Sequence, residues 1–335
     1  MVKKDEKMWA LLVQLGTAVF IDHVYDELVF TESVWDRIVN ECHKHNFNTI
    51  LLDLAEGVQY ASHPELAKKG AWSRERVKSE IKRLKDLGIT IIPKLNFSTM
   101  HDAWLGEYAR MISTKKYYEV CRDLINEVYE LFDKPKYIHL GMDEEDIEHT
   151  KKHDYVVFRK GELLWHDMQF FFDCVHELGA TPWIWTDHCF DYPEEFMKRF
   201  SPEDVVLSPW QYNALKEEHY TPVSSRQVYI DYYDKPRYKG LNIQYVEDDP
   251  WLVKYRKMLP KYLEKGYKVF PCMSDANDCG VYNCLDTLDV FKEKADAQTL
   301  GYVMAPWLLT IPKDEAGIVR NIELLSDARQ KIYKD

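Results

Sequence analysis

The sequence predicts an α/β protein folded as a single-domain (β/α)8 TIM barrel over residues 1–335. Strand and helix signals alternate from end to end with no low-complexity linker, and eight such units are present. The strands are continuous apolar runs, the pattern of parallel strands buried on both faces. No G-x-G-x-x-G fingerprint follows the first strand, so an open dinucleotide-binding sheet is disfavoured.

The first strand is read in "MWALLVQLG" (8–16), followed by a helix opening at Thr31 in "TESVWDRIVNECHKH", where Thr31 is the expected cap. "NTILLDLA" (48–55) precedes the amphipathic helix "RERVKSEIKRLKDLG", which Gly88 should stop. "ITIIPKLNF" (89–97), a helix over 113–132 and "YIHLGMDE" (137–144) make the third and fourth strands with the helix between them. A helix over 161–179, "TPWIWTD" (181–187), a short helix "PEEFMKRF" and "DVVLSPWQY" (204–212) continue the rhythm. The rest reads as a helix over 250–266, "YKVFPCMSD" (267–275), a helix near 285–297, "LGYVMAPWLLT" (300–310) and a final helix over 313–332.

A net charge of −12 without a Lys/Arg cluster argues against nucleic-acid and anionic-membrane partners, which require concentrated positive charge. The longest apolar run, Met8–Ile21, is shorter than a membrane span and is broken by Gln14, Gly16 and Thr17. The compartment stays open between cytoplasm and export after loss of a leader. Cys42, Cys121 and Cys174 fall in apolar helical patterns and are expected as buried thiols; the denser group Cys272, Cys279 and Cys284 is read chiefly as buried or loop thiols too, with a disulfide as the lesser alternative. No zinc spacing, phosphate loop or nucleophile elbow is present, and His149 and His153 lack further partners, so no cofactor and no metal are expected.

In such a barrel the chemistry sits at the C-terminal ends of the strands. Counting strand by strand, that rim receives Gln14; Asp53 and Glu56; Asn96 with His101; His139, Asp143 and Glu144; Trp185, Asp187 and His188; Trp210, Gln211 and Tyr212; Asp275 with Tyr282 beyond; and Trp307. Sugars present apolar C–H faces ringed by hydroxyls, so tryptophans interleaved with carboxylates suit a carbohydrate pocket. The acidic run 143–146 is split in this reading: Asp143 and Glu144 for chemistry, Glu145 and Asp146 for solvent.

"HLGMDE" (139–144) resembles the H-x-G-x-D-E signature of the family 20 glycoside hydrolases, the β-N-acetylhexosaminidases, which are (β/α)8 barrels carrying it on strand four. The later order is similar too: "WIWTD", "SPW", Tyr282 after strand seven, and a tryptophan on strand eight. The resemblance implies retaining, substrate-assisted cleavage of a terminal β-linked sugar, with the substrate's acetamido oxygen as nucleophile. It implies Glu144 as general acid/base, Asp143 orienting the acetamido nitrogen and Tyr282 bonding the acetamido oxygen. His101, His139, Trp185, Asp187, Trp210, Tyr212, Asp275 and Trp307 are the candidate substrate contacts. The chain departs from the pattern in four places: no arginine ends strand one, Asn96 stands where an aspartate is usual, acids follow Asp143–Glu144, and leucines follow Trp307. Two alternatives stay open at this level: a carbohydrate-binding barrel without turnover, and a two-carboxylate glycosidase pairing Glu144 with Asp275 or Asp187.

Overall fold

The computed structural model describes residues 7–18, 24–146, 157–216, 250–275 and 280–334. Eight parallel strands form one sheet: β1 Met8–Gln14, β2 Thr49–Asp53, β3 Thr90–Lys94, β4 Tyr137–His139, β5 Thr181–Trp185, β6 Val206–Ser208, β7 Cys272–Met273 and β8 Gly301–Met304. Their order is β6-β5-β4-β3-β2-β1-β8-β7, and parallel bridges Leu207–Val269 and Trp210–Cys272 bring the two outer strands together. The ring therefore closes, as the alternation of units predicts.

The strands at that seam are shorter than the apolar runs that contain them. Pro209 and Pro271 interrupt the runs, and proline has no N–H to give to a ladder. The β4 ladder also ends early, at His139, and this matters for the site below.

Helices α1 Glu32–Lys44, α2 Arg74–Asp86, α3 Lys115–Leu131 and α4 Glu162–Glu177 cover the first half of the barrel. The short α5 Asp187–Asp191 and α6 Pro193–Arg199, then α7 Pro250–Glu264, α8 Gly280–Ala295 and α9 Glu315–Tyr333 cover the second. Helix α1 buries Val34, Trp35, Ile38, Val39 and Cys42, a three-and-four spacing that puts one apolar stripe against the strands. Thr31 does not cap it with its side chain as expected; its carbonyl receives Val34 N and Trp35 N instead. Ser73 and Thr114 do cap α2 and α3 through their hydroxyls.

Alternate residues of β1 divide between two cores. Ala10 and Leu12 point into the barrel with Leu51, Ile92, Trp183, Phe270 and Val303, while Trp9, Leu11 and Val13 face the helices. Trp183 and Phe270, with ring centroids 4.4 Å apart, fill the barrel's centre, so the interior is a packed plug and any pocket must lie above it. Cys272 and Cys284 are free buried thiols, as chiefly expected, and not a disulfide pair; Cys279, His149 and His153 lie outside the described residues. Cys42, Cys121 and Cys174 are buried, as read. Among the described residues no helix is long and apolar enough to cross a membrane.

Candidate active site

Consecutive strand residues point to opposite faces, so Asp143 and Glu144 could not share a site on a regular strand. The backbone resolves this by leaving the strand. Gly141, Met142 and Glu144 all have positive φ (73°, 66° and 58°), which coils residues 140–146 over the barrel mouth. Two non-glycine residues in that region mark stored strain of the kind found at functional sites. Gly141 is required there twice over, because a Cβ would lie 1.9 Å from Asn96 Oδ1 as well as meet an unfavourable φ.

The loop after β3 supplies the partners. Asn96 Nδ2 donates to Asp143 Oδ1 at 3.0 Å, and the Ser98 hydroxyl donates to the Asp143 carbonyl. His101 Nε2 lies 3.0 Å from Glu144 Oε2 and 3.4 Å from Asp143 Oδ2. Burial works against a charged His101, but the Asp143 and Glu144 carboxylates outweigh it and hold the imidazole above its usual pKa. The side chains of Asp143 and Glu144 keep 13% and 28% of their exposure, so both acids stay reachable from the mouth.

Strands β5 and β6 close the next side. Asp187 Oδ1 accepts from Glu144 N at 3.2 Å and its Oδ2 accepts from Trp210 Nε1 at 2.9 Å. Burial, then the neighbouring Asp143 charge, push the Asp187 carboxyl well above the usual carboxylate range, which favours its neutral form. Trp210 stacks on Tyr212 (centroids 5.2 Å apart) and on Trp251 of α7 (4.4 Å). Trp307 Nε1 donates to the Tyr212 hydroxyl at 2.9 Å, and Trp185 packs 5.8 Å from Trp307. The result is a wall of aromatic rings, Trp185 buried and Trp210, Tyr212, Trp251 and Trp307 half-buried, on the acids' side of the barrel.

Other rim residues are placed less directly. His139 is completely buried against Trp183 and Trp185; Gly141 N donates to its Nδ1 at 3.0 Å, and burial, with Lys94 adding to it, keeps the ring neutral. Asp275 is buried and accepts from Arg320 Nε at 3.1 Å and Asn321 Nδ2 at 2.6 Å, which ties it to α9. Tyr282 stands in the first turn of α8, half-buried, because that helix starts at Gly280 rather than near 285. Asp53 forms a fully buried ion pair with Lys94, and Glu56 accepts from Thr17 N (2.8 Å) and Ala18 N (3.0 Å), so the acid of β2 and the one just beyond it are engaged structurally. Among the described residues no group of three or more His, Cys, Asp or Glu is arranged to hold a metal.

Glu145 corrects the reading of the acidic run. Its side chain is fully buried against the equally buried Arg159, where solvent was expected. Sequence reasoning passed over Arg159, Ser98 and Trp251 because none belongs to a motif. The one signal for Trp251 was a tryptophan just after the proline that opens a helix on this rim.

An eight-stranded parallel barrel with paired carboxylates, a bridging imidazole and an aromatic wall on its C-terminal rim is the construction of a barrel glycoside hydrolase. The chain belongs to one such family: the model for the catalytic domain of glycosyl hydrolase family 20 matches residues 93–278, more than half of its 335 residues. Among solved structures it is similar to the β-N-acetylhexosaminidase of Bacteroides fragilis NCTC 9343, with a TM-score of 0.62 at 15% identity, over 96% of this chain and 66% of that one. It is also similar to the β-N-acetylhexosaminidase of Streptomyces coelicolor A3(2), with TM-score 0.63 and 10% identity, over 96% of this chain and 65% of that one. Dispersin B aligns over 98% of this chain and 99% of its own, with TM-score 0.59 and 14% identity. At such identities these likenesses concern the fold, and the chain spans about two thirds of the first two enzymes. No curated protein matches it by sequence.

Proposed function

We propose that this barrel hydrolyses a terminal β-linked 2-acetamido sugar by the retaining, substrate-assisted route. The observation that carries this reading is the pair of adjacent, partly exposed acids meeting at one imidazole, His101, with distances of 3.0 and 3.4 Å. Glu144 gives its proton to the glycosidic oxygen as the bond to the anomeric carbon breaks. The acetamido carbonyl oxygen attacks that carbon from the opposite face, forming a cyclic oxazolinium ion. Asp143 accepts a hydrogen bond from the acetamido N–H and offsets the positive charge that develops there. Glu144, now a carboxylate, takes a proton from water, whose oxygen reopens the ring with net retention.

In this scheme Tyr282 donates to the acetamido oxygen. Tyr212 and Trp307 supply faces for the sugar's C–H surface, and Trp210, stacked on Tyr212 and Trp251, borders the sugar with its edge. His139, Trp185 and Asp187 shape the floor beneath them, and Asp275 borders the far side. Asp187 is a poor candidate for a protein nucleophile, because it is buried and both its oxygens are engaged, by Glu144 N and Trp210 Nε1.

The test is a matched pair of chromogenic β-glycosides, one with the 2-acetamido group and one with a hydroxyl in its place. Cleavage of the first alone, abolished in Glu144→Gln, supports the proposal. Equal cleavage of both favours a two-carboxylate enzyme. Sugar binding without turnover in either protein favours a binding barrel.

A further inference from the structure

Directly after Glu144, the chain buries a third carboxylate. Arg159 Nε donates to Glu145 Oε2 at 3.1 Å and its Nη2 donates to Oε1, a two-toothed fork in which neither side chain is exposed. Thr99 N also donates to Glu145 Oε1, at 2.9 Å. The guanidinium is fixed in turn by the Phe97 carbonyl (2.8 Å) and by Asp167 of α4 (3.2 Å). Asp167 is itself held by the hydroxyls of Ser113 and Tyr118.

Two features separate this from an ordinary buried ion pair. Residues 96–101 and 143–145 are laced together: Asn96 to Asp143, Ser98 to the Asp143 carbonyl, Thr99 to Glu145, and His101 to Glu144. The Glu145 side chain is fully buried within that lacing, and Arg159 anchors it to the β3 loop and α4 together. The second feature is the backbone. Glu144 is held at φ 58°, a conformation that persists only where surrounding contacts over-determine it.

We propose that Arg159 and Glu145 form a positioning clamp that holds Glu144 and Asp143 in working geometry from behind the site. The inference rests on the proposed hydrolase reading for its kinetic consequence, but the geometric claim stands apart from it. The clamp touches no substrate. It acts by fixing the strained turn that aims Glu144 at the mouth and keeps both acids against His101.

Arg159→Lys is the sharpest variant, because it conserves the buried positive charge that Glu145 and Asp167 need while removing the planar fork. Glu145→Gln is the companion, keeping shape while removing charge. Two readouts are taken on folded protein. The first is kcat and KM on the acetamido glycoside, where kcat is expected to fall about 10–100-fold at nearly unchanged KM, the signature of misplaced catalytic groups. The second is the titration of the His101 imidazole by NMR, assigned with His101→Gln.

His101 is faced by Asp143 and Glu144 from the β4 loop, by Lys94 and Asp102 on its own side and by Asp53 from β2. Loosening the acids in the charge-conserving Arg159→Lys is expected to lower its midpoint. If both variants fold yet keep wild-type kcat and the wild-type His101 midpoint, the clamp is only structural and the proposal is wrong. Failure of both to fold overturns it in the same way. If the wild-type protein cleaves neither glycoside, the hydrolase reading falls, and the His101 titration alone decides the clamp.

Discussion

His101 Nε2 sits 3.0 Å from Glu144 Oε2 and 3.4 Å from Asp143 Oδ2, so one imidazole from the β3 loop is shared by both acids of the β4 loop. The two carboxylates together outweigh burial and raise the His101 pKa. The arrangement gives His101 a role in stability as well as in positioning.

A histidine whose folded pKa exceeds its unfolded value, about 6.5, binds its proton more tightly when folded. Its contribution is complete below that unfolded value and is lost as pH rises through the folded pKa. The stability difference between wild type and His101→Gln, from urea midpoints, is therefore expected to be largest below about pH 6.5 and to shrink above it. A difference that grows with pH would contradict the ion-pair assignment.

Glu144→Gln removes the proton donor while keeping the side chain's shape. Loss of a general acid costs about 10²–10⁴ in kcat. The expected result is a drop of that order in protein that still folds, since Glu144 is partly exposed and Asp143 still faces His101. Asp143→Asn should also lose activity, because an amide cannot offset positive charge on the acetamido nitrogen. Steady-state kinetics and thermal melts on both variants check this.

Gly141→Ala places a methyl group 1.9 Å from Asn96 Oδ1 at a φ of 73°. The cost of the backbone strain alone is about 1–3 kcal/mol, and displacement of Asn96 loosens its bond to Asp143. Denaturant unfolding should show that loss together with reduced kcat. Wild-type stability would mean that the turn is less constrained than its geometry indicates.

Lys94→Met leaves Asp53 buried without its counter-charge. Breaking a buried pair in this way costs about 3–5 kcal/mol, whereas replacing both partners by apolar residues is often neutral. The single variant is expected to be strongly destabilised, and Asp53→Leu with Lys94→Met to recover most of the loss. The comparison is made by urea titration. No recovery in the double variant would assign the pair a role beyond mutual neutralisation.

Much of this molecule is readable in one dimension, and the reason is periodicity. Apolar runs between three-and-four-spaced helices reveal a parallel barrel because burial on both faces leaves no room for polar alternation. Once the strands are counted, the rim rule brings Asp143, Glu144, Asp187, Trp210 and Trp307 to one end without any coordinates. What misled was local resemblance. Thr31 has the composition of a side-chain cap but uses only its carbonyl.

The residues of 143–146 mark the boundary between the two kinds of information. The sequence by itself determined the barrel, the strand that carries the acids and the family to which the motif "HLGMDE" belongs, because these follow from hydrophobic period and residue order. Only the tertiary structure decided which acids meet solvent and which are buried. Glu145 is indistinguishable from Glu144 in a string of letters. Its fate depends on Arg159, fourteen positions further on, reaching back through folded space to offset the cost of burying a charge.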